Sequence, residues 1–376
     1  MPIASLGARR GILAFTHCLP GLEQKERYNR ATVQLSSRPL LNNNIDRGLF
    51  VDREAELQKL EQYVRGQSNA LLTGERGIGK TSLLYALDQR LCAAGLTCAV
   101  VSLGDVETLP AALTHITVIL ARSSSSLEVV LPPTPRSGLI EPEREVETLR
   151  RTIEKATGTR GGTVALLIDN IDPLIAHSLF GRLRDTIWTI PATWVVTCSL
   201  RDLGAFLTPP ADAFFEAQLR LQPFTIQDSH HALALRAPDL PPEIIEGIVS
   251  LADGRPRSVI QTAHAVLQEA TRAPSETDGL TWALERACQV RAEQEGAVAS
   301  LTRRARALWD DLVQNGPASA SDELLMRRLG WSRPHIAKAF YELENAGLVM
   351  TYQTPSTTGR RPRRLFAPRT VIGATV

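Results

Sequence analysis

Sulfur, aromatic rings and long apolar runs are all scarce in this sequence. Its 376 residues include 5 cysteines, 3 methionines and 5% aromatics. The cysteines (Cys18, Cys92, Cys98, Cys198 and Cys288) are odd in number, scattered and without a CxxC pair. That pattern excludes a disulfide framework and a zinc-ligand cluster. Cys98 and Cys198 stand in apolar runs and are expected as buried thiols of a reducing compartment. No uncharged apolar run reaches the ~18 residues of a spanning helix, so no membrane partner is expected. Arg9-Arg10 followed by GILAFTHCLPGL has the outline of a secretion signal. The apolar run is short, however, His17 interrupts it, and no clean small-residue cleavage site follows. The expected localisation is cytoplasmic. Lysine is rare as well, 5 of 42 basic residues, which reads as a genomic composition bias.

What is present is ordinary globular material. Hydrophobic residues make up 43% and charged residues 22%, which excludes a mostly disordered or collagen-like chain. The length suits two or three domains of about 100–200 residues. The net charge of +2 hides an asymmetry. Residues 298–376 hold 12 basic and 6 acidic residues, so +6, leaving 30 and 34, so −4, for the rest. A basic C-terminal module on a mildly acidic body points to a polyanionic partner for that module.

Residues 52–65 carry apolar positions at helical spacing, and Asn69–Thr73 reads as a short buried strand. A Gly-rich turn from Gly74 to Lys80 leads into a helix over Thr81–Ala94, with Leu83, Leu84, Leu87 and Leu91 on one face. Further strands are expected at Cys98–Leu103, Thr163–Ile168, Thr193–Cys198 and Ala217–Leu221. A Ser/Pro-rich loop is expected over 123–143 and a helix around 143–157. Apolar strands alternating with helices indicate an α/β fold around a mainly parallel sheet covered on both faces. After Pro223 the pattern is helical only, over 226–236, 241–252, 256–271 and 279–296. The expected division is a partly flexible N-terminal arm at 1–46, an α/β core at 47–224, an all-α region at 225–297 and a last domain at 298–376.

Gly74-Glu75-Arg76-Gly77-Ile78-Gly79-Lys80-Thr81 fits GxxxxGK[ST], with an apolar strand before it and a helix after. The glycines let backbone N–H groups face phosphate oxygens, and the helix N-terminus favours the same anion. Residues 74–82, Ser82 included, are therefore candidate ATP/ADP contacts. Lys80 would reach the β- and γ-phosphates, and Thr81 would hold Mg²⁺. Val164–Asp169 is an apolar strand ending in an acid, so Asp169 is the second candidate Mg²⁺ ligand. Asn170 follows it, and a neutral amide cannot act as a general base. Either Asp172 takes over or turnover is slow; the sequence favours slow turnover.

Three more segments complete the pattern: Phe50-Val-Asp-Arg-Glu-Ala-Glu-Leu57, Trp194-Val-Val-Thr-Cys-Ser-Leu-Arg201 and Gly254-Arg-Pro-Arg257. In this order the chain resembles AAA+ and STAND P-loop ATPases, especially the origin-recognition/initiator-like group with a C-terminal winged helix. The resemblance covers about residues 47–370 and implies a P-loop core, a helical lid and ATP with Mg²⁺. The first segment looks like the family's FVGREEEL, with Asp52 in place of the usual Gly. The second is placed like the sensor-1 strand, so Thr197 or Ser199 would meet the γ-phosphate or the water, and Arg201 resembles the STAND strand-end arginine. Arg257 resembles the sensor-2 arginine of the lid. One departure concerns partner subunits. The stretch Ala205–Ala217, where an arginine finger usually lies, holds no Arg or Lys. Arg220, Arg201 or the Arg182/Arg184 pair could serve instead in a homo-oligomer or beside a partner ATPase.

The last domain reads as three helices, over 301–314, over Ser321–Leu329 and from Ser332 onward, followed by strands at Val349–Gln353 and Arg364–Ala367. LxxxLGWSRPHIAKAFYELENAGLV resembles a winged helix-turn-helix. Ser332 is expected to cap the third helix, with Pro334 in its first turn. Arg333, His335 and Lys338 near its start are candidate contacts to double-stranded DNA, with Arg360, Arg361, Arg363 and Arg364 in the wing. The favoured reading is a nucleotide-controlled DNA-binding ATPase. The alternatives are a STAND-type switch in signalling or defence whose winged helix contacts protein, and an ATPase accessory to transposition or repair.

Overall fold

The computed structural model describes residues 35–41, 43–123, 142–160, 164–353 and 363–369. Part of the expected arm, most of the expected 123–143 loop, and Arg360 and Arg361 lie outside the described residues.

After a single helical turn at Asn44–Arg47, the first long helix is α1 (Glu54–Arg65). It leads to β1 (Ala70–Gly74), the Gly-rich turn, α2 (Lys80–Ala93) and β2 (Thr97–Ser102). Two helices follow, α3 (Leu109–Ser123) and α4 (Pro142–Arg160), then β3 (Val164–Asp169), the short α5 (Pro173–His177), β4 (Ala192–Ser199) and β5 (Ala217–Arg220). The five strands form one parallel sheet in the order β2-β3-β4-β1-β5. Parallel pairing requires crossovers, and these cover both faces with helices, so β1, β3 and β4 are buried along nearly their whole length, while the edge strand β5 exposes Gln218 and Arg220. Successive residues still point opposite ways. Leu71, Val101, Leu166, Ile168 and Val196 pack with α3 and α4, while Ala70, Leu72, Ala165, Leu167 and Val195 pack with α1 and α2. Helix α3 has no counterpart in the sequence reading.

Four helices occupy the region expected as a lid, and the name is kept for them: α6 (Ile226–Arg236), α7 (Pro242–Leu251), α8 (Pro256–Ala270) and α9 (Gly279–Ala299). Leu35 joins their apolar cluster, so the end of the expected arm is packed onto the lid. Helix α9 crosses the expected boundary at 297/298 unbroken, and Ala297 and Val298 already pack against the next module.

The C-terminal module comprises α10 (Arg303–Asn315), α11 (Glu323–Leu329), α12 (Arg333–Asn345) and an antiparallel ribbon of β6 (Val349–Gln353) and β7 (Arg364–Pro368). Ala318 bridges to Phe366, and Phe366 stacks on Phe340 at 4.0 Å between ring centroids. Trp309 is buried in the same core, and Trp331 packs against it. Ser332 stands at the N-cap of α12, but its hydroxyl pairs with His335 Nδ1 at 3.0 Å instead of capping the backbone. Among the described residues, no helix is long and apolar enough to cross a membrane.

Candidate nucleotide site

The carboxyl ends of β1 and β3 place the Gly-rich turn beside Asp169. Two glycines there are dictated by geometry. Gly79 caps α2 with φ +103, and Gly77 has φ +83, a region that L side chains rarely adopt. A Cβ on Gly77 would also meet Arg257 Cβ at 2.9 Å. The first turn of α8 is therefore seated directly on the phosphate loop, and the Arg257 N–H donates to the Gly77 carbonyl at 3.2 Å.

A cavity of about 330 Å³ opens at this point. It is lined by the Gly-rich turn from Arg76 to Ser82, by Asp169 and Asn170, and by Arg257. Apolar Leu49, Phe50, Val51, Phe224, Ala232 and Ile260 line it too, with Arg53 and Arg236. Convergent polar donors together with apolar surface for a flat ring suit a nucleotide. A larger cleft of about 1050 Å³ between α8, α9 and α10 adjoins it and shares Arg76 and Arg257.

Lys80 Nζ donates to the carbonyls of Gly74 at 2.7 Å and Glu75 at 3.0 Å. Burial draws its ammonium down to about 8, with Asp169 opposing the shift. Arg257 is also held below the usual guanidinium range, by burial and then by neighbouring Arg76. Two half-buried cations on facing sides of the turn are what a polyphosphate would complete.

Asp169 collects hydroxyl donors on both oxygens. Thr81 Oγ1 donates to Oδ2 at 2.7 Å and Thr197 Oγ1 to Oδ1 at 2.5 Å. Asn170, at φ +55, adds its amide at 3.2 Å. Hard oxygen donors suit Mg²⁺, whose octahedral bonds of about 2.1 Å put neighbouring ligand oxygens about 3 Å apart. The Thr81–Asp169 pair fits that spacing.

Asp172, Ser199 and Arg201, the other expected catalytic groups, and Glu75, an expected nucleotide contact, do not line this cavity, each for a definable reason. Asp172 is the N-cap of α5 and accepts from Leu174 N at 2.8 Å and Ile175 N at 3.3 Å. Ser199 donates to Asp202 at 2.7 Å. Arg201 is ion-paired with Asp322 at the start of α11, and its Nε is buried without a partner. Glu75 faces Arg255 at 3.9 Å. Thr197, the alternative at the sensor position, is turned to Asp169.

Sequence reasoning missed two contributors. Residues Ser37–Leu40 of the arm line the cavity, and Leu40 N donates to Ser82 Oγ at 3.0 Å. Arg236, buried on α6, lines it too. Nothing in either segment marks it in sequence, because both reach the site only through tertiary packing.

The C-terminal module touches the same neighbourhood. Arg255 Nη1 donates to the Val313 carbonyl at 2.7 Å. Arg76 lies so close to Gly316 that a Cβ there would meet its Nη1 at 2.6 Å. On the module itself Arg333, His335 and Lys338 are exposed on α12, as is Tyr341. Arg363 and Arg364 are exposed at the ribbon, and Arg364 pairs with Glu344 and lies over the Phe366 ring.

Residues 49–205 match the family model described as the AAA ATPase domain. No curated protein matches the chain. Solved structures that resemble it include Aeropyrum pernix ORC1 in complex with DNA, at 20% identity and TM-score 0.46, over 85% of this chain and 89% of that one. The Thermotoga maritima RuvB Holliday junction branch migration motor aligns at 18% identity and TM-score 0.44, over 85% and 93%. Pyrobaculum aerophilum Cdc6p aligns at 16% and 0.45, over 86% and 93%.

Proposed function

We propose that the AAA ATPase domain binds ATP or ADP with Mg²⁺ and thereby controls duplex DNA binding by residues 298–376, which we read as a winged helix. The observation that carries the nucleotide reading is the convergence of Lys80, Thr81 and Asp169 at one sheet edge beneath Arg257. In this reading Lys80 leaves the Gly74 and Glu75 carbonyls for the phosphates, while Arg257 binds them from the lid side. Thr81 and Asp169 would hold the metal, which supplies charge neutralisation at the phosphates. Thr197 and Asn170 keep the Asp169 carboxylate oriented.

Turnover is slow in this proposal. Asn170 cannot take a proton, and the Asp172 carboxylate serves as a helix cap. The protein then works mainly as a switch.

The DNA reading rests on the +6 charge of residues 298–376 and on the exposed Arg333, His335 and Lys338 of α12. Arg360, Arg361, Arg363 and Arg364 would add phosphate contacts. Coupling would run through Arg76–Gly316, Arg255–Val313 and Arg201–Asp322, which tie the module to the nucleotide site. Those contacts also favour a second reading, in which nucleotide exchange frees a protein-docking surface.

Duplex DNA binding measured with ATP, ADP and no nucleotide across a salt series tests both. The first reading expects affinity that depends on the nucleotide and falls steeply with salt. Absence of binding at low salt in every nucleotide state removes the DNA reading and leaves the second.

A further inference from the structure

The last turn of α2 and the start of the edge strand β2 carry a pair of thiols that the nucleotide site does not use. Cys92 Sγ and Cys98 Sγ stand 2.8 Å apart. The turn between them brings them together. Gly95, at φ +82, donates to the Cys92 carbonyl at 3.0 Å, and Leu96 N donates to Leu91 O at 3.0 Å, a pattern that reverses the chain at a helix end. Asp88, one helical turn before Cys92, meets both thiols. Its carbonyl accepts from Cys98 at 3.4 Å and its carboxylate faces Cys92 at 3.8 Å. Cys92 is exposed and Cys98 is buried.

Two chemistries could use this cluster. The Asp88, Cys92 and Cys98 ligand atoms lie within 4.8 Å of one another, as a thiophilic cation would need. But two thiolates on one tetrahedral zinc, with bonds of about 2.3 Å, stand about 3.8 Å apart. The observed separation is an ångström shorter.

We propose that Cys92 and Cys98 are an oxidisable dithiol, a modification site that closes to an intrachain disulfide by exchange with a small disulfide such as oxidised glutathione. Exposed Cys92 reacts first. Its thiolate attacks one sulfur of oxidised glutathione, forms a mixed disulfide and releases one glutathione thiolate. Cys98 then attacks the Cys92 sulfur and expels the second glutathione, with the Cys98 proton leaving on it. Two protein thiols are oxidised and one glutathione disulfide becomes two glutathione thiols. The new bond ties the C-terminal end of α2 to the sheet edge, at the opposite end of the helix from Lys80.

Both cysteines fall on one arginine-to-arginine peptide, Leu91–Arg122. The test equilibrates the full chain with oxidised glutathione, blocks remaining thiols with iodoacetamide and maps tryptic peptides by mass. The expected result is a Leu91–Arg122 peptide without alkyl groups and two hydrogen atoms lighter, while exposed Cys288 carries glutathione or an alkyl group. Cys98→Ala should trap a glutathione adduct on Cys92, and Cys92→Ser should leave Cys98 as a thiol. The peptide map of the unaltered chain decides the matter even if a variant fails to fold. Two alkyl groups on Leu91–Arg122, with Cys288 exchanged, overturn the proposal. So does a chain that retains one zinc with both thiols reduced in native mass spectrometry.

Discussion

Lys80 holds the most informative single charge. Its ammonium bonds to two carbonyls of its own loop and is drawn down to about 8 by burial. A bound triphosphate would favour the charged form. ATP affinity should therefore fall as pH rises through about 8, by up to roughly tenfold per unit until the bound-state value is reached. Calorimetric titrations between pH 7 and 9.5 check this, and the slope should vanish in Lys80→Met. That variant should also bind ATP roughly 30- to 150-fold more weakly at pH 7, the equivalent of about 2–3 kcal/mol for a charge-assisted contact. The linked stability effect has the opposite sign. The folded value lies below the ordinary lysine value of 10.5, so between about 8 and 10.5 the unfolded chain binds more protons and nucleotide-free protein gains stability as pH rises. Asp172 supplies the contrasting case. Asn is as good a helix cap as Asp, so Asp172→Asn should leave both stability and ATP turnover unchanged. A tenfold loss of turnover would reinstate Asp172 as the base. At this scale the convergence of the glycines, Lys80, Thr81 and Asp169 was legible in sequence because their spacing matches a strand–Gly-rich turn–helix pattern with an acid ending a second strand. The engagement of Ser199, Arg201 and Asp172 was not, because each depends on a neighbour brought in by the fold.

Among the elements, the strands and helices that were easiest to read have uninterrupted apolar character or a clear cap. β1, β3 and β4 are apolar runs, and α6 has a reciprocal capping box between Thr225 and Asp228. α3 escaped notice because its sequence, LPAALTHITVILARS, mixes β-branched residues with few charges and shows neither period cleanly. The arm at 35–41 escaped because its place on the lid is set by one leucine. Close packing gives the lid its own weak point. A Cβ on Gly247 of α7 would run into Leu284 of α9. Gly247→Ala gains about 1 kcal/mol of helix propensity, yet overpacking costs about 1–3 kcal/mol. The expected net is neutral to about 2 kcal/mol of destabilisation, and urea unfolding would register it as a lower midpoint at constant slope. A clear rise in midpoint would contradict the packing argument.

For the whole molecule, the decisive contacts join the three parts. Asp322 both caps α11 and pairs with Arg201 across the interface. Asp322→Asn keeps the cap and removes the ion pair, and Arg201→Gln removes the pair from the other side. Each should accelerate protease release of the C-terminal module and, under the proposed function, weaken the nucleotide dependence of DNA binding. The double variant should be no worse than either single one, the signature of a shared interaction. Additive effects would mean that the two residues act separately. On the DNA side, Arg333→Ala or Lys338→Ala should lower the log–log salt slope by about 1 each if they meet phosphates. Removing β7 is a poor test, since Phe366 is a core residue stacked on Phe340.

The unbroken 21 residues of α9 carry one mechanical consequence. At about 1.5 Å per residue they form a rod about 30 Å long, rooted in the lid at one end and wedged into the C-terminal core at the other. A hinge placed there would dissipate a tilt, whereas a stiff lever enlarges it. Ten degrees of rocking where Arg257 grips the phosphate loop would swing the far tip by about 5 Å over that length, roughly one helical turn.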